Sequence, residues 1–592
     1  MSRALAAQGW PTRDYVPVGE LLPGIAYLVR RILENSSQAG FLMPNRQDAS
    51  EEVLLARPDA TPDVPVVAPD GAAFERAPAA RWFDREFRRA FDAALTAAQS
   101  TPTVELPFPE GVSAAATLEV RRPSDPDGAP LAVVEIAGAD GAATAVGRAE
   151  RAQPAWGAVD VARRAGVLRR AADLLLARGH ECSATVVREG GRERAGAWAE
   201  VEEAVDFLRF YAAAAERLED AYRGRIRPRV VVAVIPPWNF SLAIPCGMVS
   251  AALVAGNAVV LKPASQTPII ATRLVALLHE AGVPREVVQC IPGEGRPAGP
   301  ALVEDRRVAL VAFTGSRAVG TAMYETVLRT ATPAGRPRGV ISEMGGKNPA
   351  LVFDDADLDE AVTGVLLSAF GHANQKCSAI SRVLVERTVM DRFRSRLLAA
   401  AASLVCGPAE DPATQVNPVI DRRASERLGA DAVVARTEGR VLLDRFGPEP
   451  GTLIHGPLIV EIESSAALTA RTATEEIFGP ILALIAFDYE DQAYRIANGT
   501  GYGLTSAVFS CSPGRIARAT AAIEAGHVYV NRTSTGARPG VEPFGGHRFS
   551  GTGPKAGGDD YLWAFLDRTD APVDQGGDVI PDGSDGTPDL RG

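Results

Sequence analysis

The sequence predicts an α/β protein built from two parallel-sheet units in tandem. Two observations predict the class: short β-branched runs alternate with helical stretches over 230–315, and a second such series runs from about Gly339 to Asn531. Strands alternating with helices argue for parallel sheets with right-handed crossovers. Composition agrees, because 592 residues with 46% hydrophobic and 23% charged content suit a soluble globular chain.

Taken in order, residues 15–42 carry apolar positions at helical spacing behind Pro23 and Gly24, which predicts an amphipathic helix over 22–35. The stretch to about Ala73 is rich in Pro, Asp and Ala and reads as a linker. A helical pattern from Ala77 to Ser100 is broken by Pro102 to Pro109, and three long helical patterns follow between Ala142 and Leu218. The first α/β series then offers strands VVVAVI (230–235), AVVLK (258–262), VVQCI (287–291) and VALVAFTG (308–315), with helices over 247–255 and 268–281. The second offers ALVF (350–353), RVLVE (382–386), ILALIAF (481–487) and AVFS (507–510). From Thr569 onward, aspartates, glycines and prolines with few large apolar groups predict a disordered tail.

With 62 Lys and Arg against 73 Asp and Glu, the formal net charge is −11. No global field therefore draws the chain to nucleic acid or to an anionic membrane surface. The six cysteines are scattered without C-x-x-C spacing, which disfavours a disulfide framework or a zinc site and fits a reducing compartment. No signal peptide is evident, and the longest apolar stretch, 230–261, is interrupted by Pro236, Pro237, Asn239, Pro245 and Asn257. The expectation is a cytoplasmic protein with a small-molecule substrate and no bound metal.

Three residues stand where chemistry is plausible. Cys377, in NQKCSA, lies in a loop of small polar residues ahead of a strand; a thiolate is a strong nucleophile, but a lone loop cysteine is more often structural. Glu343, in EMGGKN, ends an apolar strand just before two glycines, where a carboxylate could relay a proton to water or simply cap a turn. Asn239, in PPWNF, follows a buried strand, where its amide could donate to an oxyanion or form an Asx turn. FTGSRAVG (313–320) aims the start of a helix at a potential anion but lacks the full G-x-G-x-x-G pattern.

In order along the chain, PPWNF, LKPASQTP (261–268), FTGSRAVG, EMGGKN, NQKCSA, EEIFGP (475–480) and PFGGHRFSGTGPKAGG (543–558) together resemble the aldehyde dehydrogenase superfamily over about 105–568. The resemblance implies a Rossmann-like NAD-binding domain (105–338), a catalytic α/β domain (339–538) and a β-flap oligomerisation segment (539–568), preceded by a linker and helix (43–104). It implies Cys377 as the nucleophile, Asn239 with the Cys377 amide as the oxyanion site, and Glu343 as the base that activates water. NAD would contact Ile235, Pro236, Trp238, Lys262, Ser265, Gly315, Ser316, Glu476 and Phe478, and the enzyme would be a homodimer or higher oligomer.

Within that superfamily, NRTSTGA (531–537) and the C-terminal motif look most similar to the glutamate γ-semialdehyde (Δ1-pyrroline-5-carboxylate) dehydrogenases. That branch implies Gly536, Ala537 and Ser378 holding a carboxylate, Phe240 and Phe544 lining an aliphatic stem, and Glu203 accepting an ammonium group. Glu203 alone could equally be an exposed helix charge. Residues 1–42 look like the last segment of a proline dehydrogenase barrel, with Tyr27, Arg30 and Arg31 at its carboxylate-binding positions. A barrel needs roughly 200 residues or more, so neither FAD binding nor proline oxidation is expected, and a separate proline dehydrogenase partner is a candidate.

Two departures matter. Ser265 replaces a Glu that grips the adenosine 2′-hydroxyl in many members, which leaves NADP open beside NAD. Asn374 replaces the usual Gly, which would narrow the channel or alter the loop. His547 is given no role. The competing readings are a dehydrogenase for another small polar aldehyde and a non-catalytic subunit.

Overall fold

The computed structural model describes residues 74–100, 104–448 and 451–569. The helix expected over 22–35, residues 43–73 of the linker and the tail from Asp570 lie outside the described residues.

A five-stranded, all-parallel sheet forms the first frame, in the order Val288–Cys290, Ala258–Leu261, Val231–Ile235, Val308–Thr314, Gly339–Glu343. In chain order this is 3-2-1-4-5, so the direction of succession reverses between the first and fourth strands. The space beyond the carboxyl ends at such a reversal is the usual nucleotide site of open α/β sheets. The central strands are buried on both faces, which is why VVAVI reads as an unbroken apolar run.

Helix Pro268–Ala281 keeps its expected bounds, because Pro268 occupies its first turn and Gly282, at φ 112°, ends it. Two of its first amides, Ile269 and Ile270, donate to the buried Glu189 carboxylate at 2.6 and 3.0 Å. Burial nonetheless holds the Glu189 carboxyl up at about 8.

The second frame has seven strands in the order Arg440–Asp444, Leu458–Ile462, Ile481–Phe487, Ile380–Glu386, Asn348–Val352, Thr505–Phe509, His527–Val530, parallel except at the first edge. The four strands expected of this unit are all present within a residue or two at each end.

Two readings are corrected. Gly339–Glu343, expected to open the second unit, is the fifth strand of the first sheet and pairs Val340 with Val311. An apolar pentapeptide fits either sheet, and only the pairing decides. Between Ala139 and Tyr222 there are four helices rather than three: Ala139–Gly157, Val161–Ala177, Gly179–Gly190 and Arg194–Tyr222. Arg178 alone separates Val161–Ala177 from Gly179–Gly190, too briefly to interrupt the apolar period.

Segment 539–568, expected as an oligomerisation flap, divides between the units: His547–Arg548 pairs with Tyr502–Gly503, while its end is seated on the first unit. Leu566–Arg568 pairs antiparallel with Ile226–Pro228, and Tyr561, Leu562 and Phe565 are buried in the first core. A separate three-stranded sheet joins Val104–Glu105, Ala132–Ala137 and Ala114–Val120. Among the described residues no helix is long and apolar enough to cross a membrane, and no disulfide forms.

Candidate active site

Cys377 sits on a loop whose shape is imposed from several sides. After helix Leu358–Phe370, the residues His372, Ala373 and Asn374 turn left-handed, with φ of 54°, 51° and 61°. Three non-glycine residues in that region need external bonds to hold them. Asn374 supplies two, donating from Nδ2 to the carbonyls of Ala369 at 2.7 Å and Ile380 at 2.8 Å. Its side chain is therefore turned into the protein and is absent from the lining of the cleft, so the expected narrowing of the channel does not arise. Asn348 Nδ2 holds the carbonyls of Cys377 at 2.7 Å and Ala379 at 2.8 Å.

The loop delivers Cys377 to a cleft lined largely by apolar side chains. Glu343 lines the same cleft, with Oε2 accepting from the Gly546 amide at 3.2 Å and Oε1 left unpaired. Burial raises the Cys377 thiol to about 12, and the nearby carboxylates of Glu476 and Glu343 push the same way while the Ser378 amide pulls back. Burial likewise lifts Glu343 well above the usual carboxylate range, against the Gly546 amide and Lys555. Burial thus biases both groups toward their protonated forms.

Asn239 reaches the loop from the end of Val231–Ile235. Its Nδ2 donates to the Gln375 carbonyl at 2.8 Å, and its backbone carbonyl accepts from Arg192 Nη1 at 2.5 Å. An amide nitrogen carries two hydrogens, so one is left for a ligand. Arg192, in turn, lies 3.1 Å from the buried Glu200 and stacks over the Phe240 ring at 4.1 Å.

All six residues expected to bind substrate line this cleft: Glu203, Phe240, Ser378, Gly536, Ala537 and Phe544. Burial, with Glu200 adding to it, pushes Glu203 up to about 8. Gly536 has φ 89°, a conformation that a side chain would strain. Its segment is tied to the cysteine loop, because Ser534 Oγ donates to the Ser378 carbonyl at 2.8 Å.

Several residues expected at the cofactor stand at the carboxyl ends of the first sheet's strands. Ile235 closes the first strand, and Pro236, Trp238 and Asn239 follow it; Gly315 and Ser316 follow the fourth strand at the head of helix Arg317–Leu328. The Ser316 side chain makes no capping bond, so the first amides of that helix lack a side-chain partner there. Trp238 meets Phe478 edge-on at 5.8 Å, and Glu476 Oε1 accepts from the Gly346 amide at 2.9 Å. Burial pushes Glu476 up to about 7.

Lys262 and Ser265 lie outside the cleft, past the end of the neighbouring strand. The buried Lys262 ammonium donates to the Pro263 carbonyl at 3.1 Å, and burial lowers it to about 8. An ammonium has three hydrogens. Unspent donors on a buried cation and an uncapped helix start both suit a dinucleotide's oxygen atoms.

Several supporting residues escaped the sequence reading. Asn348 and Gln375 stand inside quoted motifs yet were given no role, and Arg192 carries no motif at all. Tyr561, which lines the cleft, comes from the C-terminal segment that folds back.

The Aldehyde dehydrogenase family matches residues 111–570. The chain belongs to the aldehyde dehydrogenase family. The Proline dehydrogenase family matches residues 1–43. Among relatives, 1-pyrroline-5-carboxylate dehydrogenase 1 of Halalkalibacterium halodurans is 38% identical over 443 residues, 72% of this chain and 85% of that protein. The bifunctional protein PutA of Klebsiella aerogenes is 35% identical over 588 residues, 94% of this chain but 44% of that protein.

Of solved structures, proline utilization A from Bdellovibrio bacteriovorus superposes with a TM-score of 0.84 at 36% identity, covering 96% of this chain and 60% of that one. The 1-pyrroline-5-carboxylate dehydrogenase from Thermus with bound NAD gives 0.80 at 33% identity, covering 85% of this chain and 99% of that one. The chain thus spans about half the length of these bifunctional relatives and nearly all of the single-function ones.

Proposed function

We propose that this enzyme oxidises L-glutamate γ-semialdehyde, the open form of 1-pyrroline-5-carboxylate, to L-glutamate with NAD. The observation that carries the reading is the cleft itself. Its lining brings together the Cys377 thiol, the Glu203 and Glu343 carboxyls, the Gly536–Ala537 backbone and the Phe240 and Phe544 rings, a set that suits an aldehyde bearing an ammonium and a carboxylate at its far end. The names of the relatives point the same way.

Cys377, once deprotonated, adds through sulfur to the aldehyde carbon. Asn239 and the Cys377 amide donate to the oxygen that becomes negative. What NAD supplies when bound is an acceptor for the hydride that leaves that carbon. Glu343 then takes a proton from water as the water attacks the thioester, and the carbon–sulfur bond breaks to free the acid. Glu203 accepts the substrate's ammonium, and the amides of Gly536 and Ala537 with the Ser378 hydroxyl hold its carboxylate. Ile235, Pro236, Trp238, Lys262, Ser265, Gly315, Ser316, Glu476 and Phe478 hold the dinucleotide.

The Proline dehydrogenase match over 1–43 supports a proline-oxidising partner as the source of substrate in proline catabolism. We place the enzyme in the cytoplasm as a homodimer or higher oligomer. The experiment is an NADH-absorbance screen over aldehydes with both cofactors. 1-Pyrroline-5-carboxylate is expected to be oxidised faster than succinate semialdehyde or simple aliphatic aldehydes, and the reverse order would overturn the substrate assignment.

A further inference from the structure

Ser265 stands in the turn after Ala258–Leu261, the second strand of the 3-2-1-4-5 sheet. In sheets of this order an acidic side chain just beyond that strand accepts from the adenosine 2′-hydroxyl of NAD. The turn 262–267 contains no carboxylate, yet one is wired to it. The Ser265 hydroxyl donates to Gln266 Oε1 at 3.2 Å, and Gln266 Nε2 donates to Asp421 Oδ2 at 3.0 Å. Asp421 comes from the second unit, where its other oxygen accepts from the Ala424 amide at 2.7 Å and caps helix Arg422–Glu438.

A carboxylate offers only acceptors, so it fixes which end of the Gln266 amide turns toward it. Gln266 must then present its carbonyl to Ser265, and the serine proton is spent there. What Ser265 has left for a ligand is lone pairs. These suit a ribose hydroxyl, which donates. They oppose a 2′-phosphate, which carries most of two negative charges near neutral pH.

We infer that Asp421, acting through Gln266, holds Ser265 as a hydrogen-bond acceptor and so sets the preference for NAD over NADP. Asp421 is in this sense a positioning residue, supplied to the cofactor site by the catalytic unit. The inference rests on the NAD-dependent reading above.

Its test is binding, read without turnover. The full chain, as wild type, Asp421→Asn and Ser265→Ala, is titrated calorimetrically with NAD, NADP, 5′-AMP and 2′,5′-ADP. In Asp421→Asn the side-chain oxygen can still cap the helix while the NH2 faces Gln266, which reverses the glutamine amide and turns the Ser265 proton outward. The ratio of Kd for NADP to Kd for NAD is expected to fall roughly tenfold, the worth of about one hydrogen bond, with the 2′,5′-ADP to 5′-AMP ratio following it.

Ser265→Ala is expected to weaken NAD and 5′-AMP while leaving NADP and 2′,5′-ADP no weaker. Equal changes for both cofactors in either variant would reduce Asp421 to a helix cap and overturn the proposal. If the wild type binds NAD but oxidises no aldehyde, the proposed function fails and the relay stands. If it oxidises aldehyde while the ratios stay fixed in the variants, only the relay falls.

Discussion

Replacing Asn239 with alanine tests two jobs assigned to the wild-type side chain. One Nδ2 hydrogen is committed to the Gln375 carbonyl at 2.8 Å, and the other is proposed to serve the developing oxyanion. Loss of one preorganised oxyanion donor costs about 10²- to 10³-fold in kcat, or about 2.7–4 kcal/mol. KM should move little, because the lost bond strengthens with charge that appears only in the transition state. Loss of the anchor leaves a buried carbonyl unpaired, a stability cost of about 1–3 kcal/mol. NADH absorbance gives kcat and KM, and thermal unfolding gives the second term. A variant with a lowered midpoint but kcat within about threefold of wild type, a barrier change of under 1 kcal/mol, would make Asn239 a loop anchor and refute its oxyanion role.

The remaining predictions follow the same logic. Cys377→Ala is expected to abolish NADH formation while NAD binding, followed by calorimetry, persists. Glu343→Gln should lower steady-state turnover by about 10²- to 10⁴-fold yet retain a stoichiometric burst of NADH, since acylation precedes the water step. Because the Glu343 carboxyl and Cys377 thiol are both held protonated by burial, wild-type kcat should climb as pH rises above neutrality, and rapid-quench rates measured across that range check the slope. Glu203 is raised to about 8, so binding of an ammonium-bearing substrate should tighten as pH rises toward 8; that trend should vanish in Glu203→Gln and for simple aliphatic aldehydes. Gly346→Ala would put a methyl group 2.6 Å from Asn348 Oδ1 and 2.7 Å from the Cys377 carbonyl, shifting the nucleophile's loop and lowering kcat more than it lowers the unfolding midpoint.

The elements legible in the sequence were those buried on both faces. ILALIAF announces itself because unbroken burial leaves an unbroken apolar run, and PIIATRLVALLHEA because its largely buried apolar positions begin at Pro268. The edge strand Arg440–Asp444 is largely exposed and reads as nothing in particular. Strand partnership was illegible for a different reason: Gly339–Glu343 has the same pattern whichever sheet it joins. At the candidate site, Cys377, Glu343 and the six residues expected to bind substrate line the cleft, whereas Thr314, Met344 and Ala556 of the same motifs line it without having been singled out. The residues that orient them were not singled out either, because Asn348 and Gln375 donate to backbone carbonyls, and a carbonyl leaves no mark in a sequence. Asn374 shows the cost of that blindness: its identity hinted at the channel, while its side chain binds the helix and strand behind it.

The fifth strand of the first sheet ends at Glu343, and Cys377 hangs from the second sheet just ahead of Ile380–Glu386. The sulfur and the acid proposed to serve it are therefore carried by different bodies of the same chain, joined by the four residues Met344 to Lys347. Their separation is a property of how two sheets are seated and not of either sheet alone. A substitution deep between the sheets, touching neither side chain, could unbalance the two half-reactions while leaving each body intact.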